Sequence, residues 1–221
     1  MRHERSPGRL WQPANPDQQH RLYPGNDHGR PRLKTRHPEF PVFPTGPPSP
    51  LPYIAAVMSI QVGDKAPDFS LVALGEGGPE VVKLSEQIGE QNILLLFVPM
   101  AFTGVCTQQF CAISGGLGEY ADLNCKVFGI SGDNPFAQAA WAEKEGITLK
   151  LLSDYDHKAA EAFGTTYDQF LPEKNLIMGG VSKRSAFIVD KAGVVQYAEV
   201  NDSPGDLPNS EAIKAKLAEL S

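Results

Sequence analysis

The segment Val98-Pro99-Met100-Ala101-Phe102-Thr103-Gly104-Val105-Cys106-Thr107-Gln108-Gln109-Phe110-Cys111 holds the residues best suited to chemistry. It leaves an apolar run at Pro99 and reads as entering a helix around Cys106. A thiol in the first turn of a helix faces backbone N–H groups without an intrahelical acceptor, and the positive end of the helix dipole. Both favour thiolate over thiol, and thiolate is the nucleophilic form. Cys106 is therefore a candidate nucleophile. Thr103 places a hydroxyl in the same concavity, as donor or acceptor to a bound small molecule, and Pro99 shapes and dries the pocket. From the residues alone a plainer reading stands beside this one. Free cysteine is among the most buried residue types and packs inertly, and Thr103 also suits a helix N-cap.

The elements that must position this segment follow from periodicity. Residues 68–74 alternate like a half-buried strand, Gly75-Glu76-Gly77-Gly78 supplies a turn, and residues 80–84 complete a hairpin. Ser85 with Glu86 caps a short helix running to Gly89. Asn92 to Val98 is apolar without alternation, which marks a strand buried on both faces. One helix is expected from Thr103 to about Tyr120 and a strand over 126–131. Asn134 with Pro135 opens a helix ending near Gly146. A short strand over 149–152 and a helix from His157 to Phe163 come next. Strands over 185–189 and 194–200 and a helix over 209–220 complete the chain. This order predicts a three-layer α/β architecture with a mixed central sheet flanked by helices, and fits the thioredoxin-like arrangement.

Charge and composition divide the chain. Residues 1–57 hold 12 of the 19 prolines and four of the five histidines, and carry eight Lys and Arg against four acidic residues. The remaining 164 residues carry 12 basic and 22 acidic side chains. The first part reads as a Pro/Arg-rich disordered extension, with Met58 the expected true start and 58–221 the folded domain. An acidic domain lacks the Lys and Arg footprint that nucleic acid requires, so no nucleic-acid partner is expected. The longest apolar stretch, around 93–98, is far short of the roughly 20 residues that cross a bilayer, so no membrane association is expected.

Three cysteines, odd and few, do not make the disulfide framework of a small secreted domain and suit a reducing, cytoplasmic compartment. Cys125, just ahead of a strand, reads as structural. His157 is the one histidine beyond the extension, and no Cys-x2-Cys or His-x3-His cluster accompanies it, so no metal is expected. No Gly-x-Gly-x2-Gly follows a strand and no P-loop occurs, so no nucleotide or flavin cofactor is expected. Phe102, Phe110, Trp141 and Phe163 read as core or pocket walls, with Trp141 also placed to face a partner subunit.

The spacing Pro99-x3-Thr103-x2-Cys106 resembles the peroxidatic signature of the peroxiredoxins, and Ala101-Phe102-Thr103-Gly104-Val105-Cys106 is similar to their AhpE-like and bacterioferritin-comigratory branches. The likeness extends over nearly all of 58–221, through Val62-Gly63-Asp64-Lys65-Ala66-Pro67-Asp68-Phe69, Phe128-Gly129-Ile130-Ser131, Leu151-Leu152-Ser153-Asp154 and residues 183–190. It implies a thiol peroxidase that reduces hydrogen peroxide and alkyl hydroperoxides with no prosthetic group. Cys106 would attack the hydroperoxide and become a sulfenic acid. Thr103 would hydrogen-bond the peroxide, and Arg184 would bring permanent charge to the sulfur. Electrons would return from a thioredoxin-like or low-molecular-weight thiol, and a homodimer is a family habit. By itself, without the motif, Arg184 reads as a solvated or ion-paired arginine.

Cys111 stands at the C-x4-C spacing of the intrahelical resolving cysteine in the bacterioferritin-comigratory branch, while its other reading is core packing beside Phe110 and Ile113. Five residues of helix give about 7.5 Å of rise and about 140° of rotation, beyond the Cα separation a disulfide bridges. Pairing with Cys106 therefore requires the helix to open, and Gly115, Gly116 and Gly118 weaken it. Gln109 departs from the glutamate the family commonly carries three residues after the peroxidatic cysteine, which removes an ion-pair role there. A rival reading is a thioredoxin-fold redox sensor or binding module that uses Cys106 and Cys111 as a switch.

Overall fold

The computed structural model describes residues 60–221. The expectations for residues 1–57 and for a start at Met58 lie outside the described residues. In chain order the first elements are strands β1 (Ser70–Gly75), β2 (Gly78–Lys83) and β3 (Asn92–Phe97), helices α1 (Gly104–Gly115) and α2 (Leu117–Asp122), and strand β4 (Cys125–Ser131). Helix α3 (Pro135–Glu145), strand β5 (Lys150–Ser153), helix α4 (Lys158–Ala162), strands β6 (Arg184–Val189) and β7 (Val195–Asn201) and helix α5 (Ser210–Leu220) follow.

All six residues of β3 are buried, because this strand is covered on both faces. It pairs in parallel with β4 and antiparallel with β6. The seven strands run in the order β2-β1-β5-β4-β3-β6-β7, with β5 parallel to β4 and both outer pairs antiparallel. This is the mixed sheet of the thioredoxin-like fold. Alternation along β3 divides the core in two. Ile93, Leu95 and Phe97 pack with Phe163 of the α4 turn and with Phe187, where Phe163 and Phe187 have ring centroids 5.0 Å apart. Leu94, Leu96 and Val98 pack with Phe110 of α1, Trp141 of α3 and Ile213 and Leu217 of α5.

Close approach fixes α1 on the second face. A Cβ at Gly129 of β4 would lie 2.7 Å from the Phe110 ring, so only glycine lets this ring rest against the strand. Local signals place α3 as expected: Asn134 accepts from the Ala137 N–H, Pro135 occupies the first turn, and Gly146 closes the helix at φ 70°.

Four expectations are corrected. The single helix over 103–120 is two helices, because the chain breaks at Gly116, whose N–H turns back to the Ile113 carbonyl in a tighter bond. The helix expected after Ser85 is one 3-10 turn over Leu84–Glu86 without a side-chain cap. Cys125 is the first residue of β4 rather than outside it, and Arg184 is the first residue of β6. Residues 165–183, to which periodicity assigns nothing, cross between α4 and β6. They are tied by bridges Thr166 to Ser182 and Phe170 to Met178 and by a 3-10 turn at Pro172–Lys174.

Candidate active site

The turn from β3 into α1 is set by backbone accounting. Val98 N–H donates to the Ile130 carbonyl at 2.9 Å and extends the parallel ladder one residue past β3. Thr103 is extended at the N-cap, and Thr107 N–H, bonded to the Thr103 carbonyl at 2.9 Å, is the first to find an intrahelical acceptor. The N–H groups of Gly104, Val105 and Cys106 therefore precede the helical ladder. Cys106 sits among them, 1% exposed. The Thr103 side chain does not cap the helix. Its hydroxyl donates to the Met100 carbonyl at 2.9 Å, which commits its single proton and leaves its lone pairs as acceptors.

Strand register delivers the cation. In the antiparallel β3–β6 pair Phe97 lies opposite Ser185, so the first residue of β6 arrives where β3 ends and the turn begins. Arg184 shares its face with Ala186 and Ile188, which pack in the cluster that contains Cys106 and Phe110. Its guanidinium donates from Nη2 to Cys106 Sγ at 3.3 Å, from Nη1 to Gln109 Oε1 at 2.5 Å, and from Nε and Nη2 to the Pro204 carbonyl at 3.1 and 2.9 Å. Arg184 is 1% exposed. Its hydrogen-bond partners are neutral oxygens and one sulfur, with no carboxylate. A buried charge is costly unless a counter-charge meets it, and Cys106 is the one of these hydrogen-bond partners whose side chain is able to carry one.

A cavity of about 300 Å³ opens onto this sulfur. Pro99, Met100, Thr103 and Val105 form one side, Phe170, Leu171, Lys174 and Leu176 of the 165–183 segment the other, and Arg184 and Pro204 meet them at Cys106. No acidic side chain lines it, and Lys174 is its second cation. Pro99, Thr103, Cys106 and Arg184, all singled out from sequence, are thus brought to one cavity. Gln109, from which sequence reasoning withdrew a role, is buried and holds Arg184. The Pro204 carbonyl and the 165–183 segment were missed. A backbone carbonyl has no signature in residue type, and the segment's only cues are Pro172 and the pair Gly179-Gly180.

The other cysteines differ sharply from Cys106. Cys111 lies outside the cavity lining, half-buried against the α1–α3 cluster, and its thiol donates to the Glu145 carbonyl at 3.4 Å. Burial pushes the Cys125 thiol up to about 12, which keeps it protonated and inert. All three cysteines are free. Trp141 does not face a partner: it is fully buried, donates its indole N–H to Thr107 Oγ1 at 3.0 Å, and lies 5.4 Å from the Phe110 ring. Phe102 is not core. It is 51% exposed, at φ 61°. Among the described residues no three His, Cys, Asp or Glu side chains converge on a metal-sized site, and no helix is long and apolar enough to cross a membrane.

Comparison with known proteins points the same way. The AhpC/TSA family model matches residues 62–198. The chloroplastic 2-Cys peroxiredoxin BAS1 of Spinacia oleracea is 35% identical over 149 residues, 64% of this chain and 52% of the relative, so the chain spans about half the length of the first curated relatives it matches. Alkyl hydroperoxide reductase E of Mycobacterium tuberculosis is 31% identical over 163 residues, 73% of this chain and 98% of the relative. The crystal structure of the peroxidoxin BcpB from Mycobacterium tuberculosis superposes with a TM-score of 0.61 at 26% identity, over 73% of this chain and 99% of that one. The chain belongs to the AhpC/TSA family, the peroxiredoxins.

Proposed function

We propose that the protein is a thiol peroxidase reducing hydrogen peroxide and alkyl hydroperoxides, with Cys106 as the nucleophile. The observation that carries this reading is the 3.3 Å contact between Cys106 Sγ and a buried guanidinium without a carboxylate partner. The thiolate attacks one peroxide oxygen; an S–O bond forms, the O–O bond breaks, and water or alcohol leaves after taking up a proton. The sulfur is oxidised to sulfenic acid and the peroxide is reduced by two electrons. Thr103 Oγ1 accepts the hydrogen bond of the peroxide O–H. The free N–H groups at the start of α1, with Arg184, stabilise charge growing on the leaving oxygen. Pro99 and the apolar wall of Phe170, Leu171 and Leu176 exclude water and accommodate an alkyl chain.

Cys111 is the resolving candidate. Its thiol attacks the sulfenic sulfur, a disulfide forms, and water departs. A thioredoxin-like or low-molecular-weight thiol in a reducing, cytoplasmic compartment then returns two electrons. Both cysteines lie in α1 and Cys111 is turned to the α3 end, so this step requires the first turns of α1 to open.

Intact-mass spectrometry of the reduced protein before and after one equivalent of hydrogen peroxide, with peptide mapping, tests the reading. Loss of two hydrogens with Cys106 linked to Cys111 is expected, and Cys106→Ser should abolish turnover with the fold intact. No rapid change at Cys106 would remove the peroxidase assignment. A stable disulfide that no thiol turns over would favour a redox sensor instead.

A further inference from the structure

We propose that Asp133 is a positioning residue for the peroxidase reaction, clamping the turn that presents Thr103 and the first turn of α1 to the peroxide; the proposal rests on the thiol-peroxidase reading above. The turn is residues 99–103. Phe102 within it sits at φ 61°, a left-handed conformation that a bulky aromatic residue adopts only where its surroundings impose it. Inside the turn, one side-chain bond runs from Thr103 Oγ1 to the Met100 carbonyl. From outside it, Asp133 Oδ2 accepts the Ala101 N–H at 2.8 Å, the residue next to Phe102. Among the described residues no other side chain beyond the turn bonds to its backbone.

The clamp is itself anchored. The same oxygen, Asp133 Oδ2, accepts the Ser131 hydroxyl at 2.8 Å, and the Asp133 carbonyl accepts the Ser153 hydroxyl at 2.7 Å. Ser131 Oγ accepts in turn from Nε2 of the buried Gln138 at 2.9 Å. The carboxylate is thus tied to the end of β4 and, through Ser131, to α3, while the Asp133 carbonyl ties the same residue to the end of β5, and a charged acceptor makes the stronger bond. Asp133 does not line the peroxide cavity, so it acts through the backbone. Cys106 and Thr103 ride on the turn and α1, whereas Arg184 belongs to β6. The clamp fixes the first pair against the second, and a 1 Å error in such an alignment costs on the order of 10²-fold in rate.

Two reactions of Cys106 separate positioning from general stability. Sulfenic acid formation needs Thr103, the N–H groups and Arg184 in register, whereas alkylation by iodoacetamide needs only an accessible thiolate. In Asp133→Leu, which removes the acceptor while keeping the branch at Cγ, we expect the peroxide rate constant to fall about tenfold or more and the alkylation rate to change less than about twofold. Asp133→Asn keeps a neutral acceptor and should lose about two- to fivefold, again in the peroxide reaction alone. Adding Phe102→Gly to Asp133→Leu should recover part of the rate, because glycine takes the positive φ without strain. Equal falls in both reactions, or an unchanged peroxide rate in Asp133→Leu and Asp133→Asn, would overturn the proposal. Should Asp133→Leu fail to fold, the Asp133→Asn pair of rates decides it. Failure of the peroxidase reading shows separately, as no sulfenic acid in the wild-type protein.

Discussion

Arg184 Nη2 lies 3.3 Å from Cys106 Sγ, although the two residues are 78 positions apart in sequence. The guanidinium serves three acceptors at once: the sulfur, Gln109 Oε1 and the Pro204 carbonyl. A planar fork of donors can do this and a lysine ammonium cannot. Arg184→Lys should therefore keep the charge and still lower the peroxide rate constant about 10²-fold, read by rapid-quench trapping of the sulfenic acid. A loss under about threefold would show that charge alone, without the fork, accounts for the reactivity.

Gln109 Oε1 accepts from Arg184 at 2.5 Å inside the core. Gln109→Leu preserves burial and leaves one guanidinium donor unpaired, which costs about 2 kcal/mol of stability. A lower urea midpoint with an unchanged slope is the expected signature. An unchanged midpoint would mean that Arg184 finds another acceptor without help from Gln109.

Cys125 gives a pH dependence with a defined sign. Burial holds its thiol at about 12 in the folded chain against 9.0 for the ordinary group. Between these values the folded state retains a proton that the unfolded state has released, so stability falls as pH rises through this window, by about 1.4 kcal/mol per unit from this group. Well below pH 9.0 the group contributes no slope. Urea titrations of the wild type and Cys125→Ala from neutral to alkaline pH should diverge in slope only above about 9. Parallel curves would place the thiol in a wetter site.

Gly115, the last residue of α1, tests whether the opening of the first turns spreads to the C-terminal end of the helix. A methyl group there meets nothing within 4 Å, and alanine favours helix over glycine by up to about 1 kcal/mol. Gly115→Ala should leave sulfenic acid formation at Cys106 unchanged and slow closure of the Cys106–Cys111 disulfide by up to about fivefold, the rate equivalent of that energy. Equal closure rates would show that the rate-limiting opening leaves the C-terminal end of α1 untouched.

Placement that depends on near neighbours in the chain was legible in the sequence. Pro99, Thr103 and Cys106 fall within eight consecutive residues, and a strand followed by a helix start brings them to one cavity. Asn134-Pro135 and Asn209 likewise mark the starts of α3 and α5, because a cap is satisfied within its own turn. The unalternating run at 92–98 identified the buried central strand for the same reason, since its faces are recorded in residue type alone.

Only the tertiary structure decided what crosses between elements. Antiparallel register of β6 against β3 carries Arg184 to Cys106, and a register shift by one residue would turn its side chain to the opposite face. Packing of α3 against α1 buries Trp141 beside Phe110 rather than leaving it for a partner. The Pro204 carbonyl and the Asp133 clamp on Ala101 belong to backbone groups whose partners are chosen by the fold. Residue identity sets which bonds a group can make; which bonds it does make is set by distances between segments far apart in the chain.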